Sequence, residues 1–295
     1  MELSRARALA LLAAAPLAVS CGGGGDSLKL GSKNFTEELI LGELYAQALE
    51  HAGYAVNRKL NLGTTDIAMA ALKRGEIDLY PEYTGTALLN VLHLPPDSDA
   101  KHAYETVKSA YAKQFGLVWL IPAPFDDTQA MATTQAVAGR VGLGKLSDLA
   151  QHANELRLGA VPEFLSRADG LPGLRKRYGG FTFKQTKIID NGLKYQALER
   201  GDVDVVIAFS TEGQLKADSL VVLEDDKHFF PAYNVAPVLR KAALDAKPAL
   251  AQPLNKLAPL LTNDVMQNMN LQVDGPQKRE PADVARDFLK DNGLA

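Results

Sequence analysis

The chain has 295 residues, 46% of them hydrophobic and 23% charged, with a formal net charge of −3. That is enough chain for two domains with their own cores. Basic residues form no tract, which argues against nucleic acid or an anionic membrane surface as the main partner.

The first twenty residues differ from the rest. Arg5 and Arg7 precede an apolar run from Ala8 to Val19, too short to span a bilayer and matched to the core of a secretory signal. The run ends in L-A-V-S-C at 17–21, and Cys21 is the single cysteine. This resembles a bacterial lipoprotein signal, cleaved after residue 20, with lipid on Cys21; the usual leucine stands one place early, at Leu17. Residues 21–27, with four glycines, read as a flexible tether. A plain secretory signal with an incidental cysteine is the other reading. With Cys21 on the anchor, no cysteine is left for a disulfide, a thiolate nucleophile or a metal site.

From Leu28 the pattern alternates strands and helices. A short strand stops at Gly31, and a helix is expected from about Thr36 to His51. A strand follows at 55–62, then a helix capped by Thr64 or Thr65 and stopped by Gly75. Ile77–Tyr80 reads as a strand, 102–115 as a helix and 117–121 as a strand. The stretch 122–134 is a crossing into a second lobe. That lobe repeats the plan, with strands near 156–160, 181–188 and 203–209 and helices near 146–152, 163–178 and 191–199. A strand at 220–223 precedes a return crossing at 229–234, and the remainder reads as mostly helical. Alternating strands and helices indicate parallel sheets.

The chain also half-repeats itself. A-L-K-R-G-E-I-D-L at 71–79 is echoed by A-L-E-R-G-D-V-D-V at 197–205, and L-K-L-G at 28–31 by L-R-L-G at 156–159. Each copy leads to an aromatic, Tyr83 or Phe209. Two similar lobes facing one another across a ligand are the expectation.

Other motifs carry less. G-R-V-G-L-G-K-L at 139–146 fails as a phosphate loop at Leu146, where a hydroxyl is needed for magnesium. The five histidines are dispersed, so no metal site is expected. The adjacent pair Asp126-Asp127 should send one carboxylate inward and one to solvent. Tyr83, Phe125, Phe209 and Tyr233 each sit at a strand end, loop or crossing, where open α/β folds place ligands. Ring faces without a cofactor loop suit a cation that cannot donate hydrogen bonds.

The segments G-S-K-N-F-T-E-E-L-I-L-G-E-L (31–44), L-Y-P-E-Y-T-G-T (79–86), E-F-L-S-R-A-D-G-L-P-G-L (163–174) and F-P-A-Y-N-V-A-P-V-L-R (230–240) together resemble the glycine betaine/carnitine/choline-binding proteins of osmoprotectant ABC importers. The resemblance covers nearly all of the chain after Asp26. It implies an α/β, two-lobed periplasmic-binding-protein-like fold of type II, with two crossing hinge strands and a ligand cleft between the lobes. Carried over by position, an aromatic cage would comprise Tyr83, Phe125, Phe209 and Tyr233, two of them phenylalanine where the family usually has tyrosine. Asp126 would add a carboxylate beside the cation. Lys33, Arg167 and Thr86 would hold the carboxylate end of a betaine, with Glu163 orienting Arg167.

The resulting expectation is an extracytoplasmic substrate-binding protein of an ABC importer, without cofactor or catalysis. It would bind glycine betaine, choline, carnitine or a related betaine such as ergothioneine by lobe closure. Lobe 1 would comprise 28–124 and 231–295, and lobe 2 would comprise 125–230. The partners would be the quaternary ammonium ligand, a permease subunit and the membrane through the lipid on Cys21, with no nucleic acid, and the protein would be a monomer. A tethered sensor, or an enzyme on the same fold, is the alternative of another class.

Overall fold

Ten strands in two five-stranded sheets organise the computed structural model, which describes residues 27–217 and 220–294. The signal at 1–20, Cys21 and most of the tether lie outside the described residues. In chain order the strands are β1 (Leu28–Gly31), β2 (Val56–Lys59), β3 (Leu79–Tyr83), β4 (Leu117–Trp119), β5 (Gln129–Thr133), β6 (Arg157–Ala160), β7 (Gln185–Ile188), β8 (Val205–Phe209), β9 (Val221–Leu223) and β10 (Val235–Arg240). One sheet runs β2-β1-β3-β10-β4 and the other β7-β6-β8-β5-β9. In each, two parallel pairings around β1 or β6 are completed by one antiparallel strand, β10 or β5, which the chain supplies after crossing from the other sheet.

The internal repeat is real in three dimensions. Leu30 pairs with Leu79 in the first sheet, and Leu158 with Val205, their repeat counterparts, in the second. Asp78 accepts from the Lys29 amide at 2.9 Å, and Asp204 accepts from the Arg157 amide at 2.9 Å. Gly75 and Gly201, each following its helix, have φ of +74° and +71°. At Gly75 a Cβ would meet only the tip of the flexible Arg240 side chain, so it is the left-handed backbone that calls for glycine there.

The helix Thr36–His51 forms as expected. It buries Ile40, Leu41, Leu44, Ala48 and Leu49 against the first sheet and the C-terminal helices Asn263–Asp274 and Pro281–Asp291. Its first turn carries Glu37 and Glu38, both buried, where the free amides of a helix N-terminus favour negative charge.

Three local expectations are corrected. The helix expected over 163–178 is two, Pro162–Ser166 and Leu171–Tyr178, broken by Arg167–Gly170. A Cβ at Gly170 would lie 2.2 Å from the Phe164 carbonyl oxygen, so the chain turns too tightly there for a continuous helix. The strand expected over 181–188 is paired only over Gln185–Ile188. The C-terminal portion, expected to be mostly helical, contributes β10, a strand between β3 and β4 with Pro237 in its middle. Pro237 lies opposite Pro81, and its carbonyl accepts from Leu120. No ladder bond between β3 and β10 is therefore asked of either ring nitrogen.

The two crossings lie side by side. Asp127 donates its amide to the Tyr233 carbonyl at 3.2 Å, Ala123 donates to the Val235 carbonyl at 2.8 Å, and Asp126 bridges to Asn234 in antiparallel fashion. These two adjacent segments are the connections between the two sheets, the place expected for a hinge.

Candidate ligand-binding site

A cavity of about 430 Å³ lies between the sheets, at the C-terminal ends of β1, β3, β6 and β8. This is within the roughly 300–1,000 Å³ typical of small-molecule sites, and at strand ends where such folds place ligands. The segments after β1 (Lys33–Glu37) and β6 (Val161–Phe164) face the cavity, as do the strand ends at Tyr83 and Phe209. Repeat-related residues line it again at Thr64 and Thr65 from the first lobe, and Asp190 and Asn191 from the second.

Two ring walls are built alike. The Lys33 ammonium sits 4.5 Å from the Tyr83 ring centre, and the Lys194 ammonium 4.6 Å from that of Phe209. Lys33 is held by Glu82 at 2.9 Å and Glu38 at 3.3 Å, and Lys194 by Glu212 at 2.7 Å. Burial pulls the Lys33 pKa down, but the Glu38 and Glu82 charges more than offset it and leave it raised. Phe35 joins the first wall, its ring centre 6.2 Å from that of Tyr83.

A second network joins the lobes. Arg167 is fixed to Asp169, its Nε donating at 2.8 Å, and its Nη2 reaches Thr86 Oγ1 across the cleft at 3.3 Å. Tyr233 donates to Asp169 at 2.6 Å and accepts from Gln129 at 2.8 Å. Burial would raise the Asp169 pKa, but the Arg167 guanidinium outweighs it and holds the carboxyl below its ordinary value. Thr86 accepts from Arg167 and keeps its own proton for another acceptor.

The third feature is an acidic wall. Glu37 accepts from the Tyr83 hydroxyl at 2.7 Å and from Asn270 Nδ2 at 2.9 Å. Asp127 accepts from the Thr211 hydroxyl at 2.6 Å. Burial raises the pKa of both carboxyls, and the nearby Glu37 charge pushes Asp127 well above the usual range. Asp274, which accepts from Thr36 at 2.7 Å, is likewise raised by burial. Among the described residues the cavity is lined by six acidic side chains (Glu37, Asp127, Glu163, Asp190, Glu212 and Asp274) against Lys33 and Arg167. Glu212 is paired with Lys194, and the other carboxyls, once ionised, favour a cation in the cavity. Among the described residues no three acidic, histidine or cysteine side chains are placed to hold a metal ion.

Of the residues expected from sequence, Lys33, Tyr83, Thr86, Glu163, Arg167, Phe209 and Tyr233 all line this cavity. Phe125 and Asp126 do not. Phe125 is fully buried in the core, its amide donating to the Leu261 carbonyl at 3.2 Å. Asp126 accepts from the Tyr233 amide at 2.7 Å and its own amide donates to Asn263. Both serve the hinge, because the crossing strand is pinned between the return strand and segment 261–263. One carboxylate of the adjacent pair does face inward, but it is Asp127. Two expected roles also change. Arg167 is oriented by Asp169 rather than Glu163, and the Lys33 ammonium is engaged by carboxylates of its own lobe. Sequence reasoning missed Phe35, Glu37, Asp127 and Asn270. Phe35 and Glu37 stand inside the 31–44 motif, so that motif held the signal; Asn270, on a C-terminal helix, offered none.

The family model for the substrate-binding domain of ABC-type glycine betaine transport systems matches residues 26–291. A glycine-betaine-binding protein of Pseudomonas aeruginosa is 37% identical over 91% of this chain and 89% of its own length. A combined ergothioneine transport permease and binding protein of Helicobacter pylori is 35% identical over 90% of this chain, which spans 48% of that longer protein. A solved structure described as a glycine betaine/carnitine/choline ABC transporter superposes with a TM-score of 0.73 at 33% identity, covering 91% of this chain and 99% of that one. The chain therefore belongs to the family of ABC-transporter substrate-binding domains, whose role is binding and not catalysis.

Proposed function

We propose that the cavity binds a small quaternary ammonium compound and delivers it to an ABC permease. The observation that carries this reading is the coincidence of ring faces and an excess of carboxyl groups in one cleft. A quaternary ammonium has no N–H to donate, so ring quadrupoles and diffuse negative charge are what recognise it. The cage is read as Tyr83, Phe209 and Tyr233, with Phe35 in the place first given to Phe125. Each ring contributes about 0.5–2 kcal/mol. Arg167 and Thr86 are read as the contacts for an acidic end of the ligand, and Lys33 as a support for the Tyr83 wall.

Residues from both lobes reach the ligand, which therefore binds the closed arrangement better and favours it. Lobe 1 is assigned to 28–124 and 231–295, and lobe 2 to 125–230, in keeping with the membership of the two sheets. The protein is read as a monomer outside the cytoplasmic membrane, tethered by lipid on Cys21. Mass spectrometry of the membrane-extracted protein tests the tether; an unmodified Cys21 would contradict it. Calorimetric titration with glycine betaine, choline, carnitine and ergothioneine tests the ligand class. The last belongs in the panel because of the Helicobacter relative.

A further inference from the structure

The acidic wall holds more acceptors than the chain supplies donors for. Glu37 and Asp127 are 4% and 8% exposed, and once both are ionised their oxygens offer roughly eight lone-pair sites. Against these, the described side chains supply Tyr83 Oη, Asn270 Nδ2 and the single proton of Thr211 Oγ1. That one hydroxyl proton goes to Asp127.

Asn270 adds an independent observation. It lines the cavity and is 3% exposed. Its Nδ2 is committed twice, to Glu37 at 2.9 Å and to the Thr211 carbonyl at 3.0 Å. Both partners are acceptors, so the amide orientation is fixed and flipping it would set oxygen against oxygen. Its Oδ1 is left buried without a hydrogen-bond partner among the described residues. Such an atom is costly unless something donates to it.

We infer that Glu37, Asp127, Thr211 and Asn270 form a subsite for a hydrogen-bond donor, selecting quaternary ammonium ligands that carry an O–H or N–H over those that carry none. This rests on the quaternary ammonium reading above and refines it. A trimethylammonium group cannot fill the subsite, and neither can a carboxylate. Glycine betaine consists of those two groups and a methylene, so it satisfies the rings and Arg167 but leaves this wall unanswered. A ligand with a hydroxyl between or beyond its charged groups answers both. Sites built to accept a donor reject analogues that lack it far more strongly than sites that merely exclude bulk.

The test uses pairs of ligands that differ by one donor, titrated calorimetrically into the full chain. Carnitine is compared with its deoxy analogue γ-butyrobetaine, and choline with propyltrimethylammonium, where a methyl replaces the hydroxyl. The hydroxylated member of each pair should bind at least about tenfold tighter, the difference expected for a hydrogen bond to a charged acceptor. In Asn270→Leu and in Thr211→Val the ratio within each pair should fall toward one. Equal affinities within both pairs for the unaltered protein would overturn the inference while leaving the quaternary ammonium reading standing. Failure of these four ligands to bind would overturn the inference; the quaternary ammonium reading falls only if glycine betaine and ergothioneine also fail. If neither variant folds, the ratios measured on the unaltered protein decide alone.

Discussion

Tyr233 donates its hydroxyl to Asp169 at 2.6 Å, joining the return crossing to the carboxylate that also fixes Arg167. A proposed cage ring and a proposed anion contact are thus held by one buried group. Neither can move without disturbing the other, so the polar and apolar ends of the site are held in register in this arrangement. Such preorganisation removes ordering costs from binding.

Gly85 is what lets Tyr233 lie where it does. A Cβ at that position would fall 2.7 Å from Tyr233 Cδ1 and 2.8 Å from the Ala232 carbonyl oxygen. Gly85→Ala should therefore push the ring out of place. Ligand affinity is expected to fall about tenfold or more, with a stability loss of about 1–3 kcal/mol. Calorimetry and a denaturant melt read the two effects; unchanged affinity would mean that Tyr233 is not a wall of the site.

Phe125 and Tyr83 should separate stability from binding. Phe125 is fully buried in the hinge core and does not line the cavity. Phe125→Ala is expected to cost about 3–5 kcal/mol of stability and to leave the affinity of the folded fraction within a few-fold. Tyr83→Ala should lower affinity by about tenfold or more, since it removes a ring and the donor to Glu37. Equal losses of affinity in the two variants would return Phe125 to the cage.

Binding should depend on pH through the acidic wall. Burial raises the Glu37 and Asp127 carboxyls, and the neighbouring Glu212 and Asp126 charges add to the effect on Asp127. A cationic ligand favours their ionised form. Affinity should therefore fall as pH drops through these raised values, and binding should release protons. Titrations in two buffers of different ionisation heat would count the released protons. Uptake of protons on binding would contradict the assignment.

Glu38 makes a prediction for the unliganded fold. Burial, opposed by Lys33, pushes its carboxyl from 4.5 up to about 8. Between those values the folded chain binds the proton that the unfolded chain has lost. Stability therefore declines as pH rises from about 4.5 to about 8. Glu38→Gln should flatten that slope in melting curves recorded at pH 5, 6, 7 and 8, and an unchanged slope would assign it elsewhere.

The sequence carried the two-lobed plan because a duplicated unit leaves duplicated text. The Gly75 and Gly201 turns and the Asp78 and Asp204 contacts recur in the same places. It also carried most of the residues that line the cavity, since they fall at strand ends within compact motifs. It did not carry β10, because antiparallel pairing of Pro237 with Pro81 is a property of register and not of either proline alone. Nor did it distinguish Asp126 from Asp127. Which of two adjacent carboxylates faces the cavity depends on how the crossing strand is pinned by Tyr233 and Asn263, far along the chain. Asn270 reaches the site only through packing of a C-terminal helix, which no local pattern announces.

Recognition of a quaternary ammonium group by this cavity is read by isothermal titration of the unaltered protein with glycine betaine, choline, carnitine and ergothioneine. Saturable binding of one ligand per chain is expected for at least one of them, weakened by about tenfold or more when either the Tyr83 or the Tyr233 ring is removed. No heat from any of the four at millimolar concentration would contradict it.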